Sequence, residues 1–77
     1  MRVLLVEDEA RMSKLVSRAL ARAGFVVDAF GTCADGSEAL SFSHYDAAIL
    51  DLGLPDGDGL TLLAAARTGG LSIRFLS

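Results

Sequence analysis

The chain has 77 residues, of which 52% are hydrophobic and 22% charged, and its formal net charge is −3. A chain of this length holds one domain at most, and its acidic balance argues against direct nucleic-acid binding by this segment. Its apolar runs are far shorter than the ~20 residues that cross a bilayer, and the amino terminus lacks a signal-peptide pattern, so we expect no membrane contact and a cytoplasmic location.

In the first half of the chain, the spacing of apolar residues alternates between that of a strand and that of a helix. Residues 3–6 (VLLV) form an apolar run that ends at acidic residues, which predicts a strand buried on both faces. A helix is predicted from Ala10, with Gly24 as its stop, and residues 25–30 (FVVDAF) predict a second strand. The apolar face of that helix consists of Met12, Leu15, Val16, Ala19, Leu20 and Ala23.

A second, weaker helix is predicted over Cys33–Phe42, with Thr32 as its cap. Cys33 and Leu40 are its expected inward residues. Because Cys33 is the only cysteine, it forms no internal disulfide, which agrees with a reducing compartment. The remaining predicted elements are a strand over residues 47–50, a helix over residues 60–67 and a strand over residues 71–76.

This alternation of strands and helices predicts a three-layer α/β sandwich around a parallel sheet. Functional groups in such sheets gather beyond the carboxyl ends of the strands, at the point where neighbouring crossovers go to opposite faces. The first strand is followed by Glu7 and Asp8, and the third by Asp51. If these strands are neighbours, the three carboxylates meet in one pocket.

Such a pocket suits a hard divalent cation, because carboxylates that lie close together repel one another. Mg²⁺ fits these ligands, and Asp51 could then act as a nucleophile toward a phosphoryl group. The structural alternative is that Glu7, Asp8 and Glu9 simply cap or precede a helix, where acidic residues are favoured. Asp51 has no such capping duty, since it closes an apolar strand.

Two segments carry a resemblance to a known family: RVLLVEDEARMSKLVSRALARAGFVVDAF and YDAAILDLGLPDGDGLTLL. With the spacing between them, they resemble the receiver domain of two-component response regulators, of the OmpR/PhoB type. The resemblance implies a flavodoxin-like (CheY-like) fold with strand order 2-1-3-4, lacking strand 5 and its flanking helices. Residues 1–77 would then be the N-terminal two-thirds of a receiver domain, a signalling module rather than an enzyme.

The resemblance also implies roles for individual residues. Asp51 corresponds to the phosphoacceptor that takes a phosphoryl group from a sensor histidine kinase. Glu7 and Asp8 correspond to the acidic pair that binds Mg²⁺ together with Asp51, and the backbone carbonyl of Gly53 to the group that completes the metal site. Ser77 is a candidate for the Ser/Thr switch residue at the end of strand 4.

The sequence departs from the family in lacking the lysine at the end of strand 5, because Lys14 on the first helix is its only lysine. Strand 4 would be an unpaired edge of the sheet, and apolar surface would stay uncovered on the face that carries the first helix. Both features would favour a homodimer or a domain-swapped oligomer. Lys14, Arg18 and Arg22 form a basic stripe, either a solvated face or, as in the family, a kinase-docking surface. DNA would be contacted only by an output domain outside this segment.

Three functions follow from this reading. The first is a Mg²⁺-dependent phosphoacceptor switch that controls an output domain, most simply a transcription factor. The second is a non-catalytic, receiver-like interaction module with an incomplete site. The third is a Mg²⁺-dependent phosphotransfer or nuclease-type enzyme, which is weakened because no general base or substrate pocket is evident.

Overall fold

The computed structural model describes residues 1–51 and 72–76, and over residues 1–51 strands and helices alternate as the sequence predicts. The predicted helix over residues 60–67, Gly53 and Ser77 lie outside the described residues. Neither described helix has the length and apolar character that crossing a membrane requires. The elements are β1 (Arg2–Val6), α1 (Ala10–Arg22), β2 (Val26–Phe30), α2 (Cys33–Phe42), β3 (Ala47–Asp51) and β4 (Ser72–Leu76).

The four described strands form one parallel sheet in the order β2-β1-β3-β4, which confirms the predicted order. The central strand β1 is buried from Val3 to Val6, as its continuous apolar run predicts. The chain moves across the sheet in one direction from β1 to β2 and in the opposite direction from β2 to β3. Right-handed crossovers therefore place α1 and α2 on opposite faces.

The core lies between the sheet and α2. Leu4 and Val6 of β1 and Leu50 of β3 are 0–2% exposed there. Cys33, the first residue of α2, is 2% exposed and belongs to the same cluster, while Leu40 packs against it; both predictions of inward residues in α2 are confirmed. The other buried members of the cluster are Tyr45 and Ala48.

A side chain caps the amino-terminal end of each described helix. The carboxylate of Glu9 accepts from the backbone N–H groups of Arg11 and Met12, at 3.3 and 2.7 Å, at the start of α1. The Thr32 hydroxyl accepts from the N–H of Asp35 at 3.2 Å, which confirms the predicted cap of α2. These bonds satisfy donors that have no partner inside a helix.

The apolar face of α1 is only partly covered. Val16 and Leu20 are half-buried, but the exposed fractions of Met12 and Leu15 are 43% and 65%, and no residue of α1 is fully buried. Gly24, predicted as the helix stop, has a φ of +95°, a conformation that glycine adopts more readily than other residues.

Candidate functional site

Acidic residues from β1 and β3 meet at the carboxyl end of the sheet. Val6 is paired with Leu50, so the next residues, Glu7 and Asp51, lie side by side at the ends of adjacent strands. Glu7, Asp8 and Asp51 each offer a carboxylate oxygen, and these oxygens lie within 4.8 Å of one another. The structure therefore brings together the three acidic side chains that the sequence places in the metal site.

Glu7 is the buried member of this cluster, with 6% of its surface exposed. Its backbone N–H donates to the carbonyl of Phe30 at 2.9 Å, and its Oε1 accepts from the N–H of Glu9 at 3.0 Å. The hydrogen bond from Glu9 lowers the pKa of Glu7. Burial and the neighbouring carboxyl groups of Asp51 and Asp8 outweigh it, so the pKa of Glu7 lies above its ordinary value.

These donors fit a hard divalent cation. Carboxylate oxygens are ligands that Mg²⁺ prefers, and a cation among them would offset the crowding that raises the pKa of Glu7. Glu9 has a different task, since both of its carboxylate oxygens accept backbone N–H groups at the start of α1. The structural alternative thus holds for Glu9, whereas Glu7, Asp8 and Asp51 form the candidate site.

Residues 3–77 match the family model described as the response regulator receiver domain. The chain belongs to this family. Receiver domains of response regulators are signalling modules. The resemblance read from the two sequence motifs is therefore confirmed at the level of the receiver family.

Curated relatives of this receiver domain are transcriptional and motility regulators. The swarming motility regulation protein RssB of Serratia marcescens is 45% identical over 76 residues, which are 99% of this chain and 35% of the relative. The transcriptional regulatory protein PmrA of Pectobacterium parmentieri is 40% identical over 67 residues, covering 87% of this chain and 30% of the relative. The chain thus spans about a third of the length of these regulators.

Solved structures share the fold of this receiver domain. One is the receiver domain of a sensor histidine kinase from Pseudomonas aeruginosa, with a magnesium ion coordinated in its active-site cleft. It is 25% identical with a TM-score of 0.88, over 99% of this chain and 66% of that one. The non-phosphorylated HemR receiver domain from Leptospira biflexa is 28% identical with a TM-score of 0.83, over 96% and 61% of the two chains.

A polar cluster at the opposite end of the sheet was not predicted from the sequence. The hydroxyl of Tyr45 donates to Oδ2 of Asp28 at 2.7 Å, and Nη2 of Arg2 lies 2.9 Å from the same oxygen. The Arg2 guanidinium also lies over the Tyr45 ring, 5.2 Å from its centroid. The one signal in the sequence was Asp28 itself, a charged residue within the apolar run FVVDAF.

Proposed function

We propose that this receiver domain accepts a phosphoryl group on Asp51 from a phosphohistidine of a sensor histidine kinase, in a Mg²⁺-dependent reaction. The observation that carries the proposal is the cluster of carboxylate oxygens from Glu7, Asp8 and Asp51, within 4.8 Å of one another at the carboxyl end of the sheet. A magnesium ion coordinated in the cleft of the Pseudomonas aeruginosa relative supports the same use of the cluster.

In the proposed step, a carboxylate oxygen of Asp51 attacks phosphorus. The bond from phosphorus to the histidine nitrogen breaks, and that nitrogen keeps the electron pair. A proton already on the other ring nitrogen of the phosphohistidine lets the ring leave as a neutral imidazole, so the products are that imidazole and an aspartyl phosphate. A bound Mg²⁺ supplies positive charge that offsets the charge of the phosphoryl oxygens. Glu7 and Asp8 would hold that ion, and Asp51 is the last residue of β3.

Two further residues have proposed roles. The backbone carbonyl of Gly53 would complete the metal site, and the hydroxyl of Ser77 would bind the phosphoryl group as the switch residue. The register supports the role of Ser77, because Leu76, the residue before it, is paired with Asp51.

The proposed partners follow from charge and from the relatives. Lys14, Arg18 and Arg22 are exposed on α1 and offer a cationic surface to the kinase. We also propose that this domain controls a DNA-binding output domain in the cytoplasm. The support is that this chain covers only 35% of the regulator RssB and 30% of the regulator PmrA. Formation of a homodimer or a domain-swapped oligomer is proposed as well, because the apolar side chains of Met12 and Leu15 are exposed.

The test is to incubate the chain with Mg²⁺ and acetyl phosphate, a small acyl phosphate, and to measure intact mass. We expect a phosphoryl adduct that is labile to base and to hydroxylamine, and that Asp51→Asn and chelation of the metal abolish. The matched control is Asp35→Asn, which removes an exposed acid on α2 and leaves the site intact.

Three outcomes would contradict the proposal. Absence of an adduct on a folded chain would support a non-catalytic interaction module instead. Steady turnover of unrelated phosphate esters would indicate an enzyme. An adduct that survives Asp51→Asn would move the acceptor to another residue.

A further inference from the structure

A groove separates β2 from α2 on the face of the sheet opposite α1. It has a volume of about 400 Å³, and its apolar lining includes Phe30 and Ala39. Phe42, the last residue of α2, also lines it and is 83% exposed. A large aromatic ring this exposed at the mouth of a groove is a typical anchor for a protein contact.

Every charged side chain that the structure describes in this groove is acidic: Asp28, Asp35 and Glu38. Asp28 already binds Arg2 at 2.9 Å. Asp35 and Glu38 are exposed, and neither forms a salt bridge with any other residue in the described ranges 1–51 and 72–76. The groove therefore combines an apolar lining with negative charge that lacks a counter-charge there.

The complementary surface lies on α1 of the same chain. This helix contains no acidic residue, and apolar side chains are exposed on it beside basic ones. The exposed fractions of Met12 and Leu15 are 43% and 65%. The exposed cations of α1 are Arg11, Lys14, Arg18 and Arg22.

We propose that the groove between β2 and α2 binds α1 of a second copy of this chain. The strand β2 lies at the edge of the described sheet, with α1 above one face and α2 below the other. Rotation by 180° about an axis that runs parallel to β2, just outside this edge, exchanges the two faces of the sheet. The rotation therefore places α1 of each copy on the same side as the groove of its partner, and next to it. Both grooves are then filled, and the contact closes as a dimer.

Charge and apolar surface act together in this dimer. Phe42 of one copy meets the apolar side chains of Met12 and Leu15 of the partner, while the acids of the groove meet the cations of α1. The site at Glu7, Asp8 and Asp51 lies at the carboxyl end of the sheet and takes no part. Failure of the phosphorylation test would therefore leave this proposal standing, and the reverse also holds. The cations of α1 include those proposed to contact the kinase, so the dimer and the kinase contact would exclude each other.

The experiment measures self-association of the 77-residue chain by sedimentation equilibrium at low salt, over a range of concentrations. Glu38→Lys reverses a groove charge, and Arg18→Glu reverses a helix charge. Each variant alone is expected to weaken the dimer about tenfold or more, because like charges then face one another in both contacts. Added salt is expected to weaken the unaltered dimer as well.

The matched control combines the two changes. An equimolar mixture of the Glu38→Lys and Arg18→Glu chains restores opposite charges in both contacts, and so does a single chain that carries both substitutions. Both are expected to dimerise about as well as the unaltered chain. Far-UV circular dichroism verifies that each variant is folded, and Phe42→Ser, at a side chain that is 83% exposed, tests the apolar anchor without a core change.

Four results would overturn the proposal. The unaltered chain could remain monomeric at every attainable concentration. Self-association could persist unchanged in both charge variants, which would indicate strand-edge pairing or exchange of an element. Only one of the two variants could weaken it, or the mixture could fail to restore it. Each result would assign the contact to another surface.

Discussion

At the scale of single residues, the hydrogen bond between Tyr45 and Asp28 links two segments that are distant in sequence. Tyr45 is 3% exposed, and its hydroxyl donates to Oδ2 of Asp28 at 2.7 Å. This bond and the Arg2 guanidinium hold the pKa of Asp28 below its ordinary value, despite the opposing effect of burial. We expect Tyr45→Phe to lower the free energy of unfolding at pH 7 by about 1–2 kcal/mol, since the hydrogen bond to a charged group is lost.

The dependence of the free energy of unfolding on pH tests the contribution of Asp28 in a second way. A carboxyl group with a lowered pKa in the folded state contributes stability above its unfolded pKa of about 3.9, and that contribution is lost as the pH falls below it. Urea unfolding from pH 7 down to pH 3 should therefore show a smaller acid-induced loss in Asp28→Asn than in the unaltered chain. Equal acid sensitivity of the two chains would show that Asp28 is not stabilised by this cluster.

At the scale of the elements, the end of α1 depends on a backbone conformation. Gly24 has a φ of +95°, and an added methyl group there would meet no atom within 4 Å. The cost of Gly24→Ala is therefore one of backbone strain, about 1 kcal/mol or more in the free energy of unfolding. The matched control is Gly31→Ala, which also meets no atom within 4 Å but has no positive φ, and it should be neutral or slightly stabilising in chemical denaturation. Equal effects of the two substitutions would contradict this explanation.

The elements were largely predictable from the sequence, because each carries its own period. The run VLLV and the spacing of apolar residues after Ala10 are local signals, and the structure places β1 and α1 there with small shifts at the ends. Exposure of Met12 and Leu15 was not predictable in this way, since periodicity defines a face of a helix but not what covers it. The same limit applies to Tyr45, whose partner Asp28 is brought to it only by the sheet.

At the scale of the whole molecule, the proposed cation binding by the carboxylate cluster would be coupled to folding. The raised pKa of Glu7 shows that its ionised form is disfavoured in the folded chain, so the metal-free fold loses stability as the pH rises through that pKa. Mg²⁺ at 100 times its dissociation constant should raise the free energy of unfolding by about 2.7 kcal/mol, which thermal melts with and without a chelator measure. Glu7→Gln is expected to melt at a higher temperature than the unaltered chain without metal, and to lose most of the gain from Mg²⁺.

Sodium chloride at matched ionic strength is the control, since it screens the carboxylates without binding among them. An equal gain from the two salts would argue against a specific cation site. The location of the carboxylate cluster was predictable because it follows from topology: parallel strands in the order 2-1-3-4 bring the residues after β1 next to those at the end of β3. The burial of Glu7, in contrast with the exposure of Asp8, required the structure.

The central position of β1 also bears on how the chain is made. A ribosome synthesises β1 before both of its neighbours: Val3 pairs with Val27 of β2 and with Ala47 of β3. This strand is the most apolar of the four described strands, and at least one of its two edges has no partner until β3 has left the exit tunnel. If translation pauses before β3 has left the tunnel, β1 is an exposed apolar strand that chaperones would need to protect. If it pauses later, both neighbours of β1 are available to pair with it.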